Sequence, residues 1–276
     1  MPLSVGSYRL LALDLDGTLL RHDKQVDARD IAAIRELAAS GVTVTIVTGR
    51  LHSGSVGAAQ ACGIVGPIAC VEGSHIVDVS TEQTLLHHPM SRDVTELLRT
   101  TFRDHGLASF VFGAGGIEHD AAGRDYAGYV STWSPRLGLV DEVHHADVWA
   151  NQPLAAVAIG DPGPTEAAVA KLRGQNLFVV AFPIYSHPGK HAILARAQGP
   201  TKGTALAELC RGAGCTLAEA VAVGDWVNDV PMFEVAGRSF VMGRAPDHVR
   251  TKATDALESE AGTGGGIAEA IRRAWG

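Results

Sequence analysis

Residues 8–20 read YRLLALDLDGTLL, and this stretch limits what the chain can fold into more than any other. Leu10, Leu11, Ala12 and Leu13 are apolar without alternation. A strand with one wet face alternates; a strand without alternation is buried on both faces, as in parallel sheets covered by helices. The run ends in Asp14 and Asp16, followed by Gly17 and Thr18. Side chains two apart in a strand point the same way, so the two acids converge where the strand runs out. Like charges that close repel and shift each other's pKa unless a cation lies between them or one keeps a proton. The plainer alternative is that both acids solvate a strand end ahead of a glycine turn.

The chain downstream supplies the partners such a strand needs. Asp27 opens a helical pattern with Ile31, Ile34, Leu37 and Ala38 on one face, and Gly41 closes it. Residues 42–47 (VTVTIV) read as a second strand running into Thr48-Gly49-Arg50. Strand, helix and strand with short links form a parallel βαβ unit with a right-handed crossover. Both strands then end on the same sheet edge, the one where open α/β sheets place ligands. A weak helix over 53–62, a third strand over 67–71 and a hairpin at 76–79 and 84–87 follow. The pattern then changes. Residues 82–189 read as an inserted α+β domain, with a helix capped by Ser91, strands at 108–112, 155–159 and 177–181, and a helix at 165–172. Residues 113–116 and 126–135 read as loops. The α/β pattern returns with a helix over 201–211, a buried strand over 220–223 ending in Gly224-Asp225-Trp226-Val227-Asn228-Asp229, a strand over 239–242 and a closing amphipathic helix over 265–275. The expected fold class is α/β, a Rossmann-like parallel sheet built from residues 1–81 and 190–276 with the insert between.

At 276 residues and 46% hydrophobic content the chain can bury such a core. Net charge is −7, from 23 basic and 30 acidic residues, with no basic block, which argues against nucleic acid or an anionic membrane as main partner. No stretch has signal-peptide or membrane-spanning character. Cys62, Cys70, Cys210 and Cys215 lack metal-binding spacing and read as reduced thiols, so the cytoplasm is expected. The pairs His87-His88 and His144-His145 read as solvated loop residues, since adjacent histidines rarely share one ion.

Four signals therefore sit at loop ends of one sheet: DLDGT at 14–18, TGR at 48–50, Lys202 ahead of a helix, and GDWVND at 224–229. This set resembles the haloacid dehalogenase-like superfamily of aspartate-nucleophile phosphatases. The insert after the second motif is similar to its Cof-type branch. The resemblance implies Asp14 as nucleophile and Asp16 as general acid and base. Thr48, Gly49, Arg50, Lys202 and Asn228 would hold the phosphate, with Thr48 and Lys202 also serving catalysis. Asp14, the backbone carbonyl of Asp16, and Asp225 would ligate Mg²⁺, with Asp229 (and Asn228) positioning the lysine and the metal shell. It further implies a small phosphomonoester substrate, most plausibly a sugar or polyol phosphate, and a monomer or homodimer. Two alternatives use the same residues: a phosphomutase or phosphotransferase, and a catalytically silent phosphosugar-binding protein. The inserted domain is the expected lid and source of specificity. Within it, Trp133 either stacks on a sugar face or fills the small domain's own core. The chain departs from the family pattern at Glu72, where Asn is common, at the bulky Trp226 and Val227, and at Arg244.

Overall fold

The computed structural model describes residues 8–145 and 147–276. In chain order its strands and helices are β1 (Leu10–Leu13), α1 (Ala28–Ala39), β2 (Thr43–Ile46), α2 (Val56–Cys62), β3 (Pro67–Cys70), β4 (His75–Asp78), β5 (Thr84–His87) and α3 (Arg92–Asp104). There follow β6 (Ala108–Phe112), β7 (Ile117–His119), α4 (Ala127–Val130), β8 (Leu137–Leu139), β9 (Ala155–Gly160), α5 (Pro162–Leu172), β10 (Leu177–Pro183) and β11 (His191–Ala197). The chain ends with α6 (Lys202–Gly212), β12 (Ala220–Gly224), α7 (Val230–Phe233), β13 (Arg238–Val241), α8 (Asp247–Arg250), β14 (Asp255–Ala256) and α9 (Gly266–Trp275). The described residues divide into two compact units: 8–49, 55–86 and 200–276, and 50–54 with those of 87–199.

The first unit is built on a parallel five-stranded sheet of order β14-β13-β12-β1-β2. β1 lies between β12 and β2, paired on both sides and covered by helices, which accounts for four fully buried residues in a row. Leu10 and Ala12 pack with Leu206, Leu209, Met232 and Val249 of α6, α7 and α8. By strand alternation Leu11 and Leu13 face the other side, where α1 and α9 pack together. Beyond β2, a single parallel bridge from Val47 to Ala69 leads to the antiparallel set β3-β4-β5. The helices start where side chains satisfy their first amides. Asp27 Oδ1 accepts from the Arg29 amide at 2.9 Å ahead of α1, and Thr201 and Thr204 bond reciprocally at the head of α6.

The second unit is a six-stranded sheet of order β10-β11-β9-β6-β7-β8, antiparallel except for β7-β8. Its core joins Leu98 and Phe102 of α3 and Leu172 of α5 to Val111, Ala156 and Ile193 of the sheet. The expected limits of 82 and 189 differ from this unit's limits. β11 pairs with β9 and β10 along its whole length, so the boundary falls after it, at Gly199, and β11 belongs here. β7 and a short helical passage over 121–130 occupy stretches where the sequence reads as loop or has no assignment. Trp133 packs edge-on to Tyr129 and Phe112 at 5.3 and 6.0 Å, and its carbonyl accepts from the Leu51 amide at 3.0 Å. Those contacts make it part of its own unit's packing.

Candidate active site

β1 and β12 run parallel with Leu13 opposite Val223, so Asp14 and the Gly224-Asp225 turn leave the sheet at the same edge. The Asp14 amide continues the ladder one step further, donating to the Val223 carbonyl at 3.0 Å. Gly17 lies close by with φ +82°, and a Cβ there would sit 2.3 Å from Asp225 Oδ2. Only glycine both adopts that backbone and leaves room for the carboxylate. Lys202, the first residue of α6, points into the same edge and is fully buried.

Lys202 Nζ donates to Asp14 Oδ1 and to Asp229 Oδ1, each at 2.5 Å. Asp229 is itself fixed, because its Oδ2 accepts from the amides of Asp225 and Trp226 at 2.8 and 2.9 Å. Thr18 Oγ1 donates to Asp225 Oδ1 at 3.1 Å. Asp14, Asp225 and Asp229 each offer a carboxylate oxygen within 4.8 Å of the others. One ammonium thus faces three acids. Burial, with Asp229 and Asp225 adding to it, pushes the Asp14 carboxyl well above the usual range against the pull of Lys202. Burial and then Asp229 push Asp225 up to about 7. Burial opposes the charge on Lys202, but Asp14, Asp229 and Glu72 outweigh it and hold the ammonium well above its ordinary value. The cluster has an excess of negative charge and only oxygen donors, which fits a hard divalent cation.

Asp16 is exposed at the turn after β1, and its side chain is not one of the three clustered carboxylates. Asp229 is there instead, in contact with the lysine. Thr48 is buried; its amide donates to the Ala69 carbonyl and its carbonyl accepts from the Glu72 amide, both at 2.9 Å. Gly49 follows at the same sheet edge, with the Glu72 carboxylate against it. Arg50 groups with the second unit, and its guanidinium donates to the Gly54 carbonyl at 3.2 Å. Asn228 Nδ2 donates to Glu72 Oε1 at 2.9 Å. Trp226 and Val227 are half exposed on the loop between the acids, and Arg244 pairs with Glu260. Sequence reasoning assigned no role to Thr18 or to the Glu72–Asn228 bond. Thr18 lies inside the DxDGT run that drew attention, whereas the bond joins residues 156 positions apart and has no sequence signature.

A sequence profile of haloacid dehalogenase-like hydrolases matches residues 11–271. A phosphoglycolate phosphatase of Halobacterium salinarum is 28% identical over 254 residues, covering 92% of each chain. A pyridoxal phosphate phosphatase of Escherichia coli strain K12 is 28% identical over 265 residues, covering 89% of this chain and 91% of that one. Among solved structures, a haloacid dehalogenase-like hydrolase from Bacteroides thetaiotaomicron superposes with a TM-score of 0.82 at 23% identity, over 96% of this chain and 99% of that one.

Proposed function

The chain belongs to the haloacid dehalogenase-like hydrolase family, and from that premise we propose that it is a Mg²⁺-dependent phosphatase of small phosphomonoesters. The observation that carries the proposal is the buried Lys202 held between Asp14 and Asp229, with Asp225 beside them. A buried ammonium among carboxylates is a poor device for stability, since desolvation of the ions offsets their attraction. It is a good device for keeping one carboxylate ionised and aimed while an anion approaches.

In this reading an Asp14 oxygen attacks phosphorus and the bond from phosphorus to the leaving oxygen breaks. Asp16, exposed two residues on, gives its proton to that oxygen and the alcohol departs. Water then attacks the aspartyl-phosphate, Asp16 takes a proton from it, and phosphate leaves with Asp14 restored. Lys202 favours the ionised form of Asp14 against its burial and balances negative charge through both steps. Thr48 and the amides after it hold the phosphate oxygens. Asp14, Asp225 and the Asp16 carbonyl would ligate Mg²⁺, which when bound neutralises phosphate oxygens and fixes their orientation. Asp229 holds the lysine and, through two amides, the turn that carries Asp225.

The substrate class we favour is a sugar or polyol phosphate, with the second unit as the lid that selects it. Four free cysteines suit a reducing cytoplasm. Phosphate release across a panel of metabolite phosphates with Mg²⁺, run on wild type and on Asp14→Asn, tests the whole reading. Release by the wild type that vanishes in the variant supports it. Equal release by both removes Asp14 as nucleophile.

A further inference from the structure

Glu72 occupies a conformation that its type disfavours. Val71, Glu72 and Gly73 have φ of +49°, +55° and +95°, three consecutive left-handed residues of which only the last is glycine. A β-branched valine there is a genuine outlier, and such strain persists only where the surroundings impose it. The surroundings are visible. The Glu72 amide donates to the Thr48 carbonyl at 2.9 Å, and the Ser74 amide closes the turn on Val71 at 3.0 Å. Gly73 packs so closely on α6 that a Cβ would lie 2.8 Å from that of Ala205.

The turn delivers the Glu72 side chain to one place. Oε1 accepts from Asn228 Nδ2 at 2.9 Å and lies 2.7 Å from where a Cβ on Gly49 would stand, so the carboxylate forms the wall behind Gly49. It is only 8% exposed, and its charge reaches Lys202. A carboxylate can only accept hydrogen bonds, so it turns the Asn228 amide nitrogen towards itself. A neutral amide at position 72 could accept the same bond through its oxygen. The negative charge is therefore not needed to hold Asn228, and it opposes the binding of any anion.

We propose that Glu72 is a specificity-determining residue that rejects leaving groups carrying a second negative charge, so that the substrates are phosphomonoesters with a neutral hydroxylated or a cationic leaving group. This rests on the phosphatase reading above and deepens it. Selection by repulsion works because a fixed charge in a mostly buried wall is poorly screened, whereas the phosphate itself is compensated by Lys202. A carboxylate on the leaving group has no such compensation.

Three two-carbon esters of nearly equal size isolate the effect: phosphoglycolate (anionic), ethylene glycol monophosphate (neutral) and phosphoethanolamine (cationic). The wild type should disfavour phosphoglycolate in kcat/KM by about tenfold or more relative to the other two, on the order of one unpaired charge in a partly buried site. Glu72→Gln keeps the shape and the acceptor for Asn228, and should raise the ratio of phosphoglycolate to ethylene glycol monophosphate by about tenfold. A ratio unmoved in Glu72→Gln, or an equal loss on all three esters, overturns the proposal and makes Glu72 a structural residue. Titration of the same esters into Asp14→Asn by calorimetry reads the selection without turnover. Wild-type inactivity on para-nitrophenyl phosphate would sink the phosphatase reading, while the order of binding would still decide the role of Glu72.

Discussion

Asp14 has to meet two opposed demands. Its burial between strand and helix favours the neutral acid, yet in the proposed mechanism attack on phosphorus requires the anion. Lys202, itself kept charged by three acids, pulls the other way at a distance of 2.5 Å and offsets part of that burial. Asp14→Asn leaves Lys202 its second partner, Asp229, and should fold normally, while phosphate release falls by about three powers of ten or more. A residual rate above about a tenth of wild type would reject the nucleophile assignment. Asp16 is exposed at the turn after β1. Asp16→Asn should also be slow, but by a different route: with the proposed base missing, the phosphoenzyme should accumulate and be trapped by acid quench of a labelled substrate. Failure to trap it at any substrate concentration would take the base role from Asp16.

At the scale of elements, the last helix of the first unit is started by a side chain from elsewhere in the chain. α9 has no capping side chain of its own, and it begins after Gly265 with φ +83°. Asp30, buried on α1, supplies the missing acceptors: its two oxygens take the Gly265 and Ala268 amides at 2.9 and 2.8 Å. One carboxylate thus ties the first helix to the last across the β1 side of the sheet. Asp30→Ala should lower the unfolding free energy by about 1–3 kcal/mol, the cost of leaving buried donors unpaired. Specific activity per folded molecule should not change. Urea unfolding paired with active-site titration separates the two, and lost activity at full stability would mean that Asp30 reaches the chemistry.

Across the whole molecule, the acid cluster links stability to pH and to metal. The folded-state pKa of Asp225 is raised from 3.8 to about 7 by burial and by Asp229. A raised carboxyl means that the folded chain binds the proton more tightly than the unfolded one. Its contribution is therefore fully present below the unfolded value and is lost as pH rises through about 7. Asp14 shifts in the same direction. In a chelating buffer the melting temperature should fall between about pH 4 and pH 7, and Asp225→Asn should fall less steeply. Added Mg²⁺ should raise it most at the alkaline end, where the carboxylates are ionised and free to bind. A wild-type profile that is flat in chelator and indifferent to Mg²⁺ would contradict both the shifts and the metal site. Ca²⁺ should bind without supporting turnover, because its larger and looser shell does not impose the octahedral arrangement.

What the sequence determined by itself is what local chemistry enforces. The unbroken apolar run of β1 reports burial on both faces, the βαβ spacing reports parallel strands, and together they put Asp14, Thr48, Lys202 and the 224–229 turn at one sheet edge. The family motifs were legible because each lies within a few residues of a strand end or a helix start. Tertiary structure decided what depends on partners distant in sequence. β11 is mostly apolar and adjacent in sequence to α6 of the first unit, yet it belongs to the second unit because β9 and β10 pair with it on both sides. Asp229 enters the acid cluster because Lys202, 27 residues away, needs a second carboxylate in the dry interior. Glu72 becomes part of the site only because two non-glycine residues accept a left-handed turn, a cost that no sequence pattern records and that the bonds to Thr48 and Asn228 hold in place. Periodicity speaks for strands and helices since their neighbours are local; a strained turn is set by contacts that exist only once the chain has folded.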